Sequence, residues 1–138
     1  MRLVLDASVA VAAARVGEPS HIAARALTAR VLKGEVRVVI PAIFPIEVAS
    51  ALVRVGEPAE AVRMYVEALV SVAEDVASIG SRRASQILEV AIQTRLRAAD
   101  ATYVWLAGRD SVPLCTLDRE LLVKGTSYCQ VVGPETLA

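Results

Sequence analysis

The chain has 138 residues, of which 55% are hydrophobic, and its 15 Lys and Arg residues balance 15 Asp and Glu residues. So apolar a composition excludes a disordered chain, and zero net charge argues against a protein that coats nucleic acid by general attraction to phosphate. Aromatic residues make up only 4% of the chain, too few for a platform on which bases stack.

No apolar run reaches the roughly 18 residues that a membrane span needs, and the N-terminus lacks the pattern of a signal peptide. We therefore expect a cytoplasmic protein that forms one domain over residues 1–138. Cys115 and Cys129 have no metal-binding spacing, so free thiols are favoured over a disulfide.

The first half of the chain alternates short apolar runs with segments of helical periodicity. Pro41 closes one run, Pro45 suits the first turn of a helix, and Pro58 begins another. The predicted elements of this half are a strand at 2–5, helices at 9–16 and 20–34, a strand at 36–40, and helices at 45–56 and 58–75.

The second half continues the alternation with weaker strand patterns. Its predicted elements are a strand at 76–79, helices at 81–97 and 100–107, a strand at 112–116, a short helix ending at 125, and a strand at 128–132. Ile87, Leu88, Ala91 and Ile92 form the predicted inner stripe of the first of these helices. The tail after Gly133 has nothing left to pack against.

The strand patterns are apolar at every position rather than at every second one, which is typical of a parallel sheet covered on both faces. With right-handed crossovers, the sequence predicts a three-layer α/β/α sandwich with about five parallel strands in the order 3-2-1-4-5. The first and fourth strands are then neighbours, and ligands bind beyond their carboxyl ends.

Four acidic residues stand where this fold would bring them to one rim. Asp6 ends the first strand, Asp118 follows the fourth, Glu47 lies in the first turn of the third helix, and Asp100 heads a later helix. Each of these acids could instead have an ordinary structural role, because aspartate caps helix N-termini and a first-turn glutamate is commonly solvated. Their joint placement beside strongly apolar sequence favours a functional site.

Converging carboxylates repel one another and therefore raise their proton affinity or require a cation, and hard oxygen ligands select Mg²⁺ or Mn²⁺. Such a site suits phosphodiester hydrolysis by an activated water. Ser8 and Thr116 would add hydroxyls to the site, or would serve only in local capping. Glu120 is a nearby acid for which a solvated capping-box role is favoured over a further ligand role.

These residues occur in segments that resemble the PIN-domain ribonucleases of the VapC-like toxin type. The matching segments are Leu5-Asp6-Ala7-Ser8, Pro45-Ile46-Glu47-Val48, Ala99-Asp100-Ala101 with the run that follows it, and Thr116-Leu117-Asp118-Arg119-Glu120-Leu121. The resemblance implies a Mg²⁺- or Mn²⁺-dependent endoribonuclease, a homodimer and a small antitoxin partner that blocks the cleft. It also implies that Asp6, Glu47, Asp100 and Asp118 are the acidic quartet, with Ser8 and Thr116 accessory.

Two other functions remain open at this point. A phosphatase of the haloacid dehalogenase type also uses a strand-end aspartate and Mg²⁺, but Ser8 stands where that family has a second aspartate. A catalytically silent interaction domain is the other alternative. The alanine- and valine-rich helices at 20–33 and 43–72 exceed the needs of one small core and predict a protein interface.

Few other residues suggest chemistry. His21 is far in sequence from the acids, and Trp105 is expected to be a core or interface anchor rather than a base-stacking residue. The candidate phosphate contacts are Arg82, Arg83, Arg95, Arg97 and Arg119, for which solvated or ion-paired roles are the alternative.

Overall fold

The structure is a computed structural model that describes residues 1–137, and Ala138, the last residue of the predicted domain, lies outside them. The described residues form one five-stranded parallel sheet in the order β3-β2-β1-β4-β5, which confirms the predicted order. The strands are β1 (Arg2–Leu5), β2 (Arg37–Pro41), β3 (Asp75–Ala77), β4 (Leu114–Cys115) and β5 (Val131–Val132).

Helices cover both faces of this sheet. They are α1 (Ala7–Ala14), α2 (His21–Leu32), α3 (Ile43–Arg54), α4 (Ala59–Val72), α5 (Ser81–Thr94), α6 (Ala98–Asp110) and α7 (Arg119–Lys124). Two short 3₁₀ turns, Gly125–Ser127 and Pro134–Thr136, follow. Right-handed crossovers place α1 to α4 on one face and α5 to α7 on the other, which gives the predicted α/β/α sandwich. Among residues 1–137, no helix has both the length and the apolar character that a membrane crossing requires.

The central strands and α6 form the core that supports the rim of the sheet. Leu3, Val4 and Leu5 are fully buried, because helices cover both faces of β1. Helix α6 packs on β1, β2 and β4, and every residue from 101 to 107 is buried. Because α6 ends at Asp110 and leads into the amino end of β4 at Leu114, its first turn lies at the carboxyl ends of the central strands.

The fourth and fifth strands are shorter than predicted. The fourth runs only over Leu114–Cys115 rather than 112–116. The fifth was predicted to begin at Tyr128, but the backbone N–H groups of Tyr128 and Cys129 both donate to the carbonyl of Gly125. The chain is therefore still turning there and becomes extended only at Val131–Val132. Cys115 and Cys129 are free, as predicted, but Cys129 lies outside a strand.

The predicted helix at 81–97 is too long, and its predicted inner stripe is partly wrong. It ends at Thr94, because Arg95 has a left-handed conformation with φ of 60°. Ile87, Val90 and Thr94 face the core, whereas Leu88 and Ile92 are 57% and 61% exposed. Successive residues of a helix are rotated by about 100° around its axis, so the residue next to a core position lies on a different face.

Two other predictions were also wrong. The third strand begins at Asp75 and ends at Ala77 rather than spanning 76–79. The tail is packed: Pro134 is buried, and the Arg30 guanidinium donates to the Leu137 carbonyl at 2.6 Å. The helix predicted at 20–34 has Ser20 at its N-cap position, as predicted, although the Ser20 side chain makes no cap hydrogen bond.

Candidate active site

Two neighbouring strands end side by side and deliver the first acid to the rim. Leu5 of β1 pairs with Cys115 of β4, so the residues that follow them, Asp6 and Thr116, are adjacent. The Thr116 hydroxyl donates to Asp6 Oδ2 at 2.7 Å, and the Ser8 hydroxyl donates to the same oxygen at 2.6 Å. The structure therefore brings together three of the predicted site residues, and Asp6 is only 6% exposed.

The same two hydroxyls also fix the turn that presents Asp118. The Leu117 N–H donates to Ser8 Oγ at 3.1 Å, and the Asp118 N–H donates to Thr116 Oγ1 at 3.0 Å. Asp118 Oδ1 then accepts from the Glu120 N–H at 2.8 Å and caps α7. Asp118 is thus placed beside Asp6 by backbone hydrogen bonds, and the accessory hydroxyls hold both.

The helix-cap alternative is right for Asp118 and wrong for two other acids. Asp6 occupies the N-cap position of α1 but makes no cap hydrogen bond, since its carboxylate faces Ser8 and Thr116. Asp100 is the third residue of α6, whose N-cap position is Arg97. Glu120 takes no part in a capping box, because its carboxylate pairs with Lys124 at 2.7 Å.

Glu47 approaches the rim from the opposite helical layer. It is the fifth residue of α3 and lies in the second turn rather than the predicted first, because the helix begins at Ile43. Its carboxylate is half-buried, and Oε1 accepts a hydrogen bond from the Tyr103 hydroxyl at 2.7 Å. Glu47 is therefore held by α6, three residues along that helix from Asp100.

Burial and repulsion between carboxylates raise the proton affinity of Asp6, Glu47 and Asp100. The pKa of Asp100 is raised to about 6, first by burial and then by the charges of Asp118, Asp6 and Glu47. Burial also raises the pKa of Asp6 and of Glu47, and the hydrogen bonds from Ser8, Thr116 and Tyr103 partly oppose that rise. We call Asp6, Glu47, Asp100 and Asp118 the acidic cleft.

The family comparison decides what kind of domain holds this cleft. The PIN domain family model matches residues 3–125 of the chain. The chain belongs to the PIN domain family. Proteins with PIN domains are generally nucleases, and the phosphatase alternative is wrong, since the match spans the chain from β1 to the end of α7.

Solved structures show the same fold at low sequence identity. PAE2754 from Pyrobaculum aerophilum is 23% identical with a TM-score of 0.73, and the match covers 99% of this chain and 86% of that one. VapC20 from Mycobacterium tuberculosis, a sarcin-ricin loop cleaving toxin, is 16% identical with a TM-score of 0.69, over 85% and 90% of the two chains. VapBC2 from Rickettsia felis, solved with a promoter DNA fragment, is 12% identical with a TM-score of 0.68, over 96% and 98%. No curated protein sequence matches the chain.

The donor set of this PIN domain suits a hard divalent cation. Its carboxylate oxygens are the ligands that Mg²⁺ and Mn²⁺ prefer. None of the ion pairs among residues 1–137 includes an acid of the cleft. Within the same residues no three acidic, His or Cys side chains are close enough to hold one ion by themselves. This arrangement suits Mg²⁺, which usually keeps several waters and binds through one or two carboxylates.

An apolar groove of about 380 Å³ opens beside the acidic cleft. Its lining residues are Ala7, Ser8, Val11, Ala12, Glu18, Glu47, Ala51 and Leu117. Glu47 belongs to both the groove and the acidic cleft, and Ser8 of the groove donates to Asp6 of the cleft. A molecule in the groove would therefore lie against the acids.

The predicted arginine contacts have different surroundings. Arg83 donates to the Ser78 carbonyl and lies 5.7 Å from the Trp105 ring, which gives it a structural role. Arg82, Arg95, Arg97 and Arg119 are exposed. Arg97 precedes α6 and Arg119 begins α7, so these two flank the acidic cleft.

Tyr103 is a site residue that the sequence patterns did not indicate. It is completely buried and was grouped with the apolar run after Asp100. The available signal was its spacing, because residues three apart on a helix face the same way. His21 and Trp105 have structural roles, as predicted: His21 Nδ1 lies 2.9 Å from the Ala12 carbonyl, and Trp105 is 7% exposed in the core.

Proposed function

We propose that this PIN domain is a Mg²⁺- or Mn²⁺-dependent endoribonuclease, the toxin of a toxin–antitoxin pair. The observation on which this rests is the group of unpaired acids at the ends of β1 and β4, where two hydroxyls orient Asp6 and a backbone N–H orients Asp118. Family membership supports hydrolysis of a nucleic acid. RNA is the substrate proposed because VapC homologues cleave RNA and the structural relatives include a sarcin-ricin loop cleaving toxin.

Each acid has a proposed role in this reaction. Asp6 and Asp118 at the two strand ends and Glu47 on α3 would hold the ion together with the waters that it keeps. Asp100 at the edge of the cleft would bind one of these waters or accept a proton from it, since its pKa is raised to about 6. The chemistry that the ion supplies is activation of a water and stabilisation of the leaving oxygen. Ser8 and Thr116 keep Asp6 oriented, and the exposed Arg97 and Arg119 bind the RNA backbone beside the cleft.

The test compares wild type with Asp6→Asn, in which one charge is removed and the size is kept. Isothermal titration measures Mn²⁺ binding, and an RNA cleavage assay is run with Mn²⁺ and with EDTA. We expect wild type to bind Mn²⁺ and to cut RNA only with the metal, and Asp6→Asn to lose both while remaining folded. Cleavage by Asp6→Asn at the wild-type rate contradicts the assignment. Folded wild type that binds no Mn²⁺ supports the silent interaction domain instead.

We also propose a homodimer and an antitoxin that blocks the apolar groove. The surface leaves large apolar side chains exposed on several helices, among them Ile46 on α3 (67%), Leu88 on α5 (57%) and Ile92 on α5 (61%). Light scattering measures the oligomeric state, and we expect the double variant Leu88→Glu, Ile92→Glu to be a monomer, because two charges would disrupt this apolar face.

A substitution in the apolar groove tests the antitoxin. We expect Ala51→Arg to release a co-purified antitoxin, because the larger charged side chain fills the groove, while the acids of the cleft are unchanged.

A further inference from the structure

Tyr103 connects the two helical layers at the acidic cleft. It is the largest of the fully buried side chains, and it lies on α6 one turn after Asp100. Its hydroxyl donates to Glu47 Oε1 at 2.7 Å, and Glu47 is 56 residues away in the chain, on α3. A phenol is protonated at neutral pH, so it acts as the donor in this contact.

Glu47 depends on this contact more than the two aspartates depend on theirs. Asp6 has a short side chain and takes two hydroxyl donors, and Asp118 takes a backbone N–H. Glu47 has one more rotatable bond, and its pKa is raised first by burial and then by repulsion from the charge of Asp6. Within residues 1–137 the Glu47 carboxylate accepts a hydrogen bond only from the Tyr103 hydroxyl, and that hydrogen bond is to Oε1. The second oxygen, Oε2, has no donor among those residues.

We propose that Tyr103 is a positioning residue, which fixes Glu47 so that Oε2 is presented to a divalent cation in the acidic cleft. This inference rests on the proposed function, because it assumes that the cleft binds such an ion. Without the hydroxyl, the Glu47 side chain gains rotamers that point it towards solvent, away from the repulsion of Asp6. Outer partners that orient a metal ligand typically contribute about 10- to 100-fold in metal affinity or activity.

The chain contains a matched control for this role. Tyr65 on α4 is also largely buried, and its hydroxyl donates to the Ala10 carbonyl at 2.6 Å. Its acceptor is a neutral backbone group rather than a carboxylate. Tyr65→Phe therefore removes the same atom and a hydrogen bond of similar length, with no effect on an acid of the cleft.

The first measurement is Mn²⁺ affinity by isothermal titration of the full chain, for wild type, Tyr103→Phe and Tyr65→Phe. We expect Tyr103→Phe to bind Mn²⁺ about 10- to 100-fold more weakly, and Tyr65→Phe to keep the wild-type affinity. Circular dichroism of all three checks that they are folded. Wild-type affinity in Tyr103→Phe overturns the proposal, as does an equal loss in Tyr65→Phe.

The second measurement asks whether Tyr103 acts through Glu47. Mn²⁺ affinity is compared between Glu47→Ala and the Glu47→Ala, Tyr103→Phe double variant. We expect the second substitution to cause no further loss, because the side chain that Tyr103 orients is already gone. A further loss as large as in the wild-type background overturns the positioning role.

The two proposals fail in different ways. Wild type that binds Mn²⁺ but leaves RNA intact contradicts the ribonuclease, and the Tyr103 inference is then decided by the affinities alone. Folded wild type that binds no Mn²⁺ overturns both.

Discussion

The two ends of the sheet treat their acidic residues in opposite ways. At the amino ends of the strands, three arginines pair with three acids: Arg2 with Glu74 and Asp110, Arg37 with Glu74, and Arg109 with Asp75 and Asp110. We call these six residues the paired edge. At the carboxyl ends, the acidic cleft has hydroxyl, phenol and backbone N–H donors but no arginine or lysine partner among residues 1–137.

This difference separates charge that stabilises the fold from charge that is left for chemistry. Neutral donors orient a carboxylate without cancelling its charge, whereas a guanidinium cancels it. An uncancelled, partly buried group of acids destabilises the folded chain and attracts a cation. The charges of the whole chain balance, with 15 basic and 15 acidic residues, so the excess of negative charge at the cleft is local.

The sharpest test makes the same substitution at both ends. In Asp118→Asn we expect Mn²⁺-dependent cleavage to fall at least about 100-fold, with stability unchanged or higher, because asparagine still caps α7 and one repelling charge is gone. In Asp110→Asn we expect full cleavage and a loss of about 1 kcal/mol in the free energy of unfolding, because two arginine contacts weaken. Cleavage assays and urea unfolding measure both. Equal loss of activity in the two variants would show that the ends are not separate.

A second test removes a donor from the cleft. Thr116→Val deletes the hydroxyl that donates to Asp6 and accepts from the Asp118 N–H. Thr94→Val is the control, since Thr94 donates to the Val90 carbonyl and accepts from the Leu96 N–H. Each variant should lose about 1–3 kcal/mol of stability. Only Thr116→Val should lose Mn²⁺ affinity and cleavage, by about 10-fold or more, and an equal loss in Thr94→Val would remove the special role of Thr116.

A third test uses the pH dependence of stability without metal. The pKa of Asp100 in the folded chain is about 6, against an ordinary value of 3.8, so its contribution to stability is present below about pH 4 and is lost as pH rises through about 6. In EDTA, wild type should therefore lose stability relative to Asp100→Asn between pH 4 and 7, by no more than about 2 kcal/mol, because solvent screens a half-buried group. Urea unfolding at several pH values measures this. A parallel pH dependence in the two proteins would contradict it.

The strand order was predictable from sequence because continuous apolar runs and right-handed crossovers leave few alternatives. The meeting of Asp6 with Thr116 followed from that order, since both residues come directly after neighbouring strands. These features depend on local pattern and on general rules of chain topology.

Features that depend on packing between distant segments were not predictable. Leu88 and Ile92 are apolar and fit the pattern of a buried helix face, yet they are exposed. The residues of α5 that pack against the core include Ile87 and Val90. Nothing local tells that a buried tyrosine on α6 meets a glutamate on α3, because the contact joins residues 56 apart. The sequence thus indicated the four acids and the hydroxyls of Ser8 and Thr116, whereas the contact between Tyr103 and Glu47 required the structure.

The smallest expected effect is at the paired edge. Arg2→Met keeps an unbranched apolar stem but removes the charge that faces Glu74 and Asp110. The Arg2 side chain is 34% exposed, so we expect a loss of about 1 kcal/mol or less in the free energy of unfolding at low salt. In about 1 M NaCl, where the screening length is about 3 Å, the difference from wild type should narrow. Mn²⁺ affinity and cleavage should stay at wild-type values, because the removed charge lies at the other end of β1 from Asp6. A change in Mn²⁺ affinity would mean that the charges of the two ends are coupled through the sheet.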